Sequence, residues 1–315
     1  MAPDERGGIA LKPAIEENDL KSDTRMKEWL HNKLISAYRL LPVFENQQSV
    51  LRAERERIKA QIAISMPKNP LLKGFKVYSQ TDEDGIIENI LSQIKGEGTF
   101  IEIGCGHGRV NNTHYLLLKG YKGVWVDASE TNVDYIRANI DSAALEDSRL
   151  KLLMTKVGLE NVDDTVRSMC AWLGSQEPDL FSLDIDGNDY FILERAMRLC
   201  QPKVLCVEYN AKFPPPLRMS IVYDGAHSWV NDDYHGATLQ MFCDLLKDYR
   251  LACCNLSGAN AFFVRDDLAG PFERYPVAEL FQPARYELRK LSSGHNPSLK
   301  WLNDALKSPR TPSLS

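Results

Sequence analysis

From residue 78 onward, short apolar runs alternate with longer segments whose apolar positions recur at helical spacing. The short runs predict strands and the longer segments predict helices. Because the two alternate strictly, we expect an α/β fold, with a mostly parallel sheet covered by helices on both faces. A Ser257-Gly258 turn joins the last two runs, so the sheet should end in an antiparallel hairpin. The predicted strands cover 100–103, 123–126, 150–155, 180–183, 204–208, 250–255 and 260–264.

The two ends of the chain lack this alternation. Residues 1–24 are rich in Gly, Pro and charge, which predicts a disordered or loosely attached end. The next segment favours helices, one around Trp29 and, after Pro42, a second over 45–64. We expect this helical extension to pack on the body or to form the arm of a homodimer. The apolar pattern near the other end predicts a C-terminal helical appendage and tail. The predicted divisions are therefore 1–24, 25–75, 76–267 and 268–315.

A glycine-rich turn follows the first predicted strand. Glu102 lies within that strand, and Gly104, Gly106 and Gly108 follow at alternate positions. The next strand ends in Asp127. A glycine turn after one strand and a carboxylate after the next can hold a nucleoside, because the turn packs against it and the carboxylate accepts from the ribose hydroxyls. The spacing differs from the G-x-G-x-x-G of dinucleotide enzymes. It resembles the motif of class I S-adenosylmethionine (SAM) methyltransferases, whose ligand has no phosphate.

A second group of polar residues follows the fourth and fifth predicted strands. These strands end in Asp184-Ile185-Asp186-Gly187-Asn188-Asp189 and in Glu208-Tyr209-Asn210. The carboxyl ends of parallel strands meet at one edge of the sheet, so we expect the two groups to lie together beside the nucleoside. Asn188 or Asp189 is expected to cap the next helix. The glycine comes too early for a calcium loop.

This acidic group predicts two kinds of chemistry. One hypothesis is a Mg²⁺ site built from Asp184, Glu208 and Asn210, which would bind and acidify an acceptor hydroxyl. The other needs no metal, and Asp186 or Glu208 acts as a general base for that hydroxyl. The predicted catalytic residues are Asp184, Asp186 and Glu208. Three histidines add candidates: His107 in the glycine turn, as a SAM contact, and His227 and His235 in the loop 211–235, as bases.

Five segments of the chain are similar to FkbM-like methyltransferases, and the resemblance covers roughly residues 75–267. It implies a Rossmann-like class I SAM fold and O-methylation of a hydroxyl on a saccharide or secondary metabolite. It also implies that Gln80 and Thr113 lie near the carboxylate and amino end of SAM, whereas metal use does not follow from it. The five segments are 78–85, 112–113, 182–190, 207–210 and 259–264.

The motif, the strand ends and the resemblance together predict ten cofactor contacts. Val157, after the third strand, is expected to form a wall for the adenine ring. The full set is Gln80, Glu102, Gly104, Cys105, Gly106, Thr113, Asp127, Ala128, Val157 and Asp184.

Composition narrows the classes of partner. A net charge of −5 and a pI near 5.8 argue against a nucleic-acid binder and favour a small-molecule acceptor. Seven cysteines without C-x-x-C pairing, no signal peptide and no apolar run of spanning length indicate a cytoplasmic protein with reduced thiols and no membrane segment. Two rival functions stay open: a non-catalytic SAM-fold protein that serves assembly, and a methyltransferase that acts on a macromolecule.

Overall fold

The computed structural model describes residues 33–34, 37–39, 41–146, 149–292 and 294–307. The chain divides after Val50 into two units, and the sheet and the site belong to the unit that begins at Leu51. The disorder expected over 1–24, the helix expected around Trp29 and the end of the expected tail lie outside the described residues.

In the described part of the chain, seven strands form one sheet. Its order is β3-β2-β1-β4-β5-β7-β6, in which β1 to β5 are parallel and β7 is antiparallel to both β5 and β6. This confirms the predicted Rossmann-like sheet with a terminal antiparallel hairpin. The strands are β1 Thr99–Ile103, β2 Lys122–Asp127, β3 Leu150–Met154, β4 Leu180–Leu183, β5 Val204–Glu208, β6 Tyr249–Cys254 and β7 Asn260–Arg265.

Helices connect the strands and lie at both ends of the described chain. The helix predicted over 45–64 is present as α1, whereas the sequence pattern missed α5 and two short 3₁₀ helices, Pro70–Lys73 and Tyr286–Lys290. The α-helices are α1 Pro42–Ser65, α2 Glu83–Ser92, α3 His114–Leu118, α4 Glu130–Asn139, α5 Ser142–Glu146, α6 Val162–Leu173, α7 Asp189–Ala196, α8 Leu239–Leu245, α9 Val277–Leu280 and α10 Lys300–Lys307.

One buried carboxylate holds the amino ends of three central strands together. Asp179, just before β4, accepts hydrogen bonds from the amides of Glu97, Gly98 and Thr99 at 2.8, 2.6 and 3.0 Å. Its other oxygen lies 2.8 Å from the ammonium of Lys203, just before β5. A carboxylate that satisfies three amides and a partly buried cation fixes the stagger of β1, β4 and β5. The opposite, carboxyl ends of these strands are thereby aligned.

The C-terminal segment, expected as a helical appendage and tail, contains short helices in its described part. They pack into the same apolar core as the sheet, and Arg149 donates from Nη2 to the carbonyl of Ala305 in α10 at 3.0 Å. Pro283 and Pro297 interrupt the predicted helical pattern, so short helices replace one long helix. The buried side chains of this segment are Phe272, Leu280, Leu288, Leu299, Leu302 and Leu306.

All seven cysteines are free thiols, and six of them are buried. Burial raises the pKa of Cys206 and Cys253 well above the ordinary thiol value, so these thiols are unreactive packing groups. Within the described residues, every helix is too short or too polar to cross a bilayer.

Candidate functional site

A cavity of about 1270 Å³ opens at the carboxyl ends of β1, β2, β3, β4 and β5. Ligands of doubly wound sheets bind at this edge. The cavity exceeds the roughly 300–1,000 Å³ that encloses one drug-sized ligand. It therefore has room for a cofactor and a second substrate. We call the part lined by the ends of β1 to β3 the cofactor half, and the part lined by the ends of β4 and β5 and the loop 211–235 the acceptor half.

The glycine turn after β1 forms the floor of the cofactor half. Gly104 has a φ of +92°, and a Cβ added there would lie 1.7 Å from the carbonyl oxygen of Asp184. Its amide donates to Val126 in β2 at 2.8 Å. Only glycine permits this approach, because the backbone after β1 contacts the backbone after β4. The turn thus lies directly against the end of β4.

Asp127 holds the glycine turn and faces the cofactor half. Its Oδ2 accepts from the amide of Gly106 at 2.7 Å. Its Oδ1 accepts from the amide of Ser129 at 2.9 Å and from the side chain of Asn132 at 3.0 Å. Three donors fix the carboxylate, and Oδ2 keeps a lone pair for the cavity. The predicted contacts Ala128 and Val157 line the same half.

Glu102, Cys105 and Thr113 are not among the cavity-lining residues, unlike the other predicted cofactor contacts. Glu102 is buried and accepts from the amide of Asn112 at 2.9 Å and from the hydroxyl of Thr113, which in turn accepts from Trp125 Nε1 at 2.7 Å. Burial raises the pKa of Glu102 to about 7 despite these bonds. In the structure Glu102 and Thr113 therefore fix the loop after β1.

Gln80 lies at the side of the cavity on a loop held from within. Asp84 accepts from the amides of Val77, Tyr78 and Ser79 at 2.7 to 2.8 Å, which curls the loop around one carboxylate oxygen. Gln80 lines the cavity, and its Oε1 is buried without a hydrogen-bond partner. A buried carbonyl oxygen without a donor is costly, so this atom is suited to an amino group of a ligand.

The acceptor half contains the predicted acidic group. One oxygen from each of Asp184, Asp186 and Glu208 lies within 4.8 Å of the others. Asp186 has a φ of +56°, a strained conformation for a residue other than glycine, and such strain concentrates at functional sites. Glu208 is 8% exposed, and its Oε2 has no hydrogen-bond partner. The expected meeting of the ends of β4 and β5 is thus present in the structure.

The pKa values of two of these carboxyl groups are raised. Burial, with a smaller contribution from the neighbouring carboxylates of Asp189 and Asp186, raises the pKa of Asp184 to about 8. Burial and then the charge of Asp184 raise the pKa of Glu208 well above its ordinary value. Groups of this kind hold a proton near neutral pH unless a positive charge approaches them.

Asn210, a predicted metal ligand, holds the loop after β5. Its side-chain amide donates to the carbonyls of Asp233 and His235 at 2.9 and 3.0 Å, and its Oδ1 accepts from the amide of Lys212 at 3.2 Å. Asn210 also lines the cavity, and its Oδ1 keeps one lone pair. Its role as a metal ligand stays a prediction.

Asn188 and Asp189, the residues expected to cap the next helix, lie in the turn before α7. Asp189 accepts from the amides of Ile185 and Gly187 at 2.9 Å each, so it closes the turn before α7. Asn188 stands at the N-cap position without a capping side-chain bond, and its side chain donates to the carbonyl of Asp224 at 2.8 Å. Both residues therefore shape the turn that presents Asp184 and Asp186.

The loop 211–235 forms one wall of the acceptor half. His227 and His235 line the cavity as predicted, whereas His107 does not. His235 Nδ1 lies 3.9 Å from Glu208 Oε2, and burial lowers the pKa of His235 below the ordinary histidine value. Trp229 lines the same wall and donates from Nε1 to the carbonyl of Asp232 at 2.7 Å.

Sequence reasoning missed two residues of the acceptor half. Tyr286 and Arg289 line the cavity from the 3₁₀ helix of the C-terminal segment. The guanidinium of Arg289 lies 4.5 Å from the centre of the Tyr286 ring, and its buried Nε has no hydrogen-bond partner. No motif or strand end marks these residues, because the packing of buried Leu288 brings their helix to the cavity.

No protein-family model matches this chain, and no curated protein matches its sequence. Solved structures with a similar fold include an O-methyltransferase from Bacillus cereus in complex with S-adenosylhomocysteine (SAH), at 20% identity, covering 69% of this chain and 91% of that one, with a TM-score of 0.37.

Two further solved structures have a similar fold. One is a methyltransferase from Geobacter sulfurreducens, at 16% identity, covering 77% of this chain and 96% of that one, with a TM-score of 0.35. The other is a spermidine synthase from Thermotoga maritima, at 14% identity, covering 64% and 70%, with a TM-score of 0.34. At such scores the similarity is no basis for a function. None of these comparisons identifies the FkbM-like family, so the function has to be argued from the site.

Proposed function

We propose that this chain is a SAM-dependent O-methyltransferase that transfers a methyl group to a hydroxyl of a small molecule, of the saccharide or secondary-metabolite kind. One observation carries the proposal. A single cavity joins a glycine turn, an oriented carboxylate at the end of β2 and an acidic group at the ends of β4 and β5. A donor and an acceptor bound in one cavity can be held in line, which supplies much of the rate of a two-substrate transfer.

The cofactor half has groups that suit each part of SAM. Asp127 can accept from ribose hydroxyls, Val157 offers an apolar wall for adenine, and the unpartnered Gln80 Oε1 can accept from the amino group. Gly104 and Gly106 let the backbone come close to the ligand. Bound SAM would supply a methyl group on a positively charged sulfur.

The acceptor half has groups that take up a proton. A hydroxyl nucleophile loses its proton as it attacks, so a nearby base assists the reaction. The positively charged sulfur of bound SAM would favour the ionised forms of Asp184 and Glu208, and their raised pKa then makes each a stronger base than an ordinary carboxylate. Asp186 lies within the same group and helps to orient the hydroxyl. These three residues are the proposed catalytic residues.

A magnesium ion is the alternative occupant of the acidic group. Three carboxylate oxygens in one group, with one unpartnered oxygen on Glu208, fit the oxygen ligands of a hard cation. Such an ion would lower the pKa of an acceptor hydroxyl. Full activity of the metal-stripped enzyme in EDTA would remove this alternative, and loss that added Mg²⁺ restores would support it.

Calorimetric titration of the purified, SAM-free protein with SAH tests the proposal first. We expect saturable binding, and a loss of about tenfold or more in Asp127→Asn, because the charged acceptor of the ribose hydroxyls is removed. Asp134→Asn is the matched control, since Asp134 lies exposed on α4 and forms an ion pair with the exposed Arg137. A wild-type protein that binds no SAH would overturn the proposal and leave the non-catalytic assembly function as the better one.

A further inference from the structure

More acidic than basic side chains line the cavity. The lining includes six carboxylates and three cationic side chains. Lys212 forms an ion pair with Asp233, and the exposed Lys156 donates to the carbonyl of His227 at the rim. In the acceptor half, a ligand therefore meets more acidic groups than cationic ones. The cationic group is the guanidinium of Arg289, and the acidic groups are those of Asp184, Asp186, Glu208 and Asp232.

Arg289 does not neutralise these carboxylates by contact. Within the described residues it forms no ion pair with them, and its guanidinium lies instead against the ring of Tyr286. Glu208 is more than nine-tenths buried, lines the cavity and keeps Oε2 without a hydrogen-bond partner. The imidazole Nδ1 of His235 lies 3.9 Å from that oxygen, beyond hydrogen-bond distance. A buried carboxyl oxygen without a partner inside a cavity calls for a donor from the ligand, and a cationic donor also favours the ionised form of the group.

We propose that the acceptor carries an ammonium group beside the hydroxyl that is methylated, and that this ammonium binds among Asp184, Asp186 and Glu208. The inference rests on the proposed function, because it names the class of acceptor for that site. An ammonium has three N–H donors, one for each carboxylate. Three oxygens at about 2.8 Å from a tetrahedral nitrogen lie about 4.6 Å apart. The oxygens of this group lie within 4.8 Å of one another, so the ammonium fits without a large rearrangement.

Ligand-observed NMR with two sugars of the same size tests the inference. D-glucosamine carries the ammonium, and D-glucose carries a neutral hydroxyl at the same carbon. Both are titrated onto the wild-type protein saturated with SAH, below the amine pKa and in EDTA. We expect glucosamine to bind about tenfold more tightly than glucose, which is the scale of one ion pair in a partly buried site. Equal binding, or tighter binding of glucose, would overturn the inference.

Two variants should change glucosamine binding in opposite directions. Asp186→Asn removes one negative charge and keeps the left-handed backbone, which asparagine tolerates, so we expect about fivefold weaker binding. Arg289→Gln removes the opposing positive charge, so we expect severalfold tighter binding. Glucose should change little in either variant. Glu279→Gln is the matched control, because it removes an exposed carboxylate on α9 outside the cavity lining.

Opposite changes separate an electrostatic role from structural damage. Loss of binding of both sugars in both variants would mean that the charges act through the fold, and the inference would fall. The same titration with Mg²⁺ in place of EDTA tests the rival occupant. If Mg²⁺ binds and excludes glucosamine at physiological concentration, the group is a metal site and the inference is wrong. Absence of SAH binding, measured beforehand, would instead reject the proposed function.

Discussion

At the scale of single residues, two glycines of the turn after β1 share a positive φ but differ in surroundings. A Cβ on Gly104 would lie 1.7 Å from the carbonyl oxygen of Asp184, whereas a Cβ on Gly106, with a φ of +56°, would meet nothing within 4 Å. The first glycine is required by a backbone contact. The second is required only by its own conformation.

This difference gives a paired prediction. We expect Gly104→Ala to lower the free energy of unfolding by more than about 3 kcal/mol and to abolish SAH binding, because β1 and β4 have to separate. Gly106→Ala should cost about 1 kcal/mol, the cost of a left-handed alanine. Urea unfolding of both variants measures the difference. Equal losses would mean that the close approach of the two strand ends does not constrain the fold.

The buried Glu102 predicts a pH dependence of stability. Its folded pKa is about 7, above the ordinary 4.5, so the folded chain binds the proton more tightly than the unfolded chain. Its contribution to stability is therefore full below about pH 4.5 and is lost as the pH rises to 7. Glu102→Gln does not titrate. The stability of the wild type relative to this variant should fall by about 3 kcal/mol across that window.

Urea unfolding of both proteins at several pH values measures this difference. Other titrating groups, such as the buried His114, act equally in both proteins and cancel. Parallel stability curves would show that Glu102 titrates near its ordinary pKa in the folded chain.

Site residues differ in how far the sequence predicts them. Asp184 and Glu208 end predicted strands, and the ends of parallel strands must meet, so their proximity follows from the pattern. Glu102 lies at a motif position, but its buried side chain faces Thr113 rather than the cavity, and side-chain direction is not readable from the motif. Arg289 reaches the site through tertiary packing alone, which periodicity does not encode.

At the scale of elements, the aligned strand ends depend on Asp179. Asp179→Ala should cost about 3–5 kcal/mol, because three amides and the ammonium of Lys203 lose their partner. The exposed pair of Arg195 with Asp163 is a matched control, and Arg195→Ala should cost less than about 1 kcal/mol. Chemical denaturation measures both. Similar losses in the two variants would contradict the proposed role of Asp179.

The sequence predicts some elements better than others. β4 and β5 match their predicted bounds, 180–183 and 204–208, because polar residues flank each apolar run. The five-residue α5 was missed, since one turn of helix gives too few positions for a period. The C-terminal segment was predicted as one helical appendage. Its apolar residues do fit a helical face, but prolines divide it and the core buries the pieces.

At the scale of the whole molecule, α10 is a part of the core. Leu302 is fully buried, whereas its neighbour Trp301 is 71% exposed. Leu302→Ala should lower the free energy of unfolding by about 2–5 kcal/mol, and Trp301→Ala should change it by less than about 0.5 kcal/mol. Chemical denaturation compares the two. Equal small effects would mean that α10 is an appendage and not a part of the core.

The dimer arm expected within 25–75 stays a prediction at this scale. Light scattering of the full chain and of Ile64→Glu tests it, because Ile64 is 86% exposed on α1 and a charge there would disfavour an apolar interface. A monomeric wild type would reject the arm.

The two halves of the cavity are built by different parts of the fold. Strand ends supply the cofactor half, whereas two segments outside the sheet, 211–235 and 284–289, supply much of the acceptor half. A protein engineer who seeks a new acceptor therefore has two replaceable segments whose exchange leaves Asp127 and the glycine turn untouched. The boundary of the exchangeable region is Asp184, because its carbonyl oxygen touches Gly104. Variants that keep Asp184 and carry changes in the two segments should still bind SAH, whereas their preference among acceptors should change.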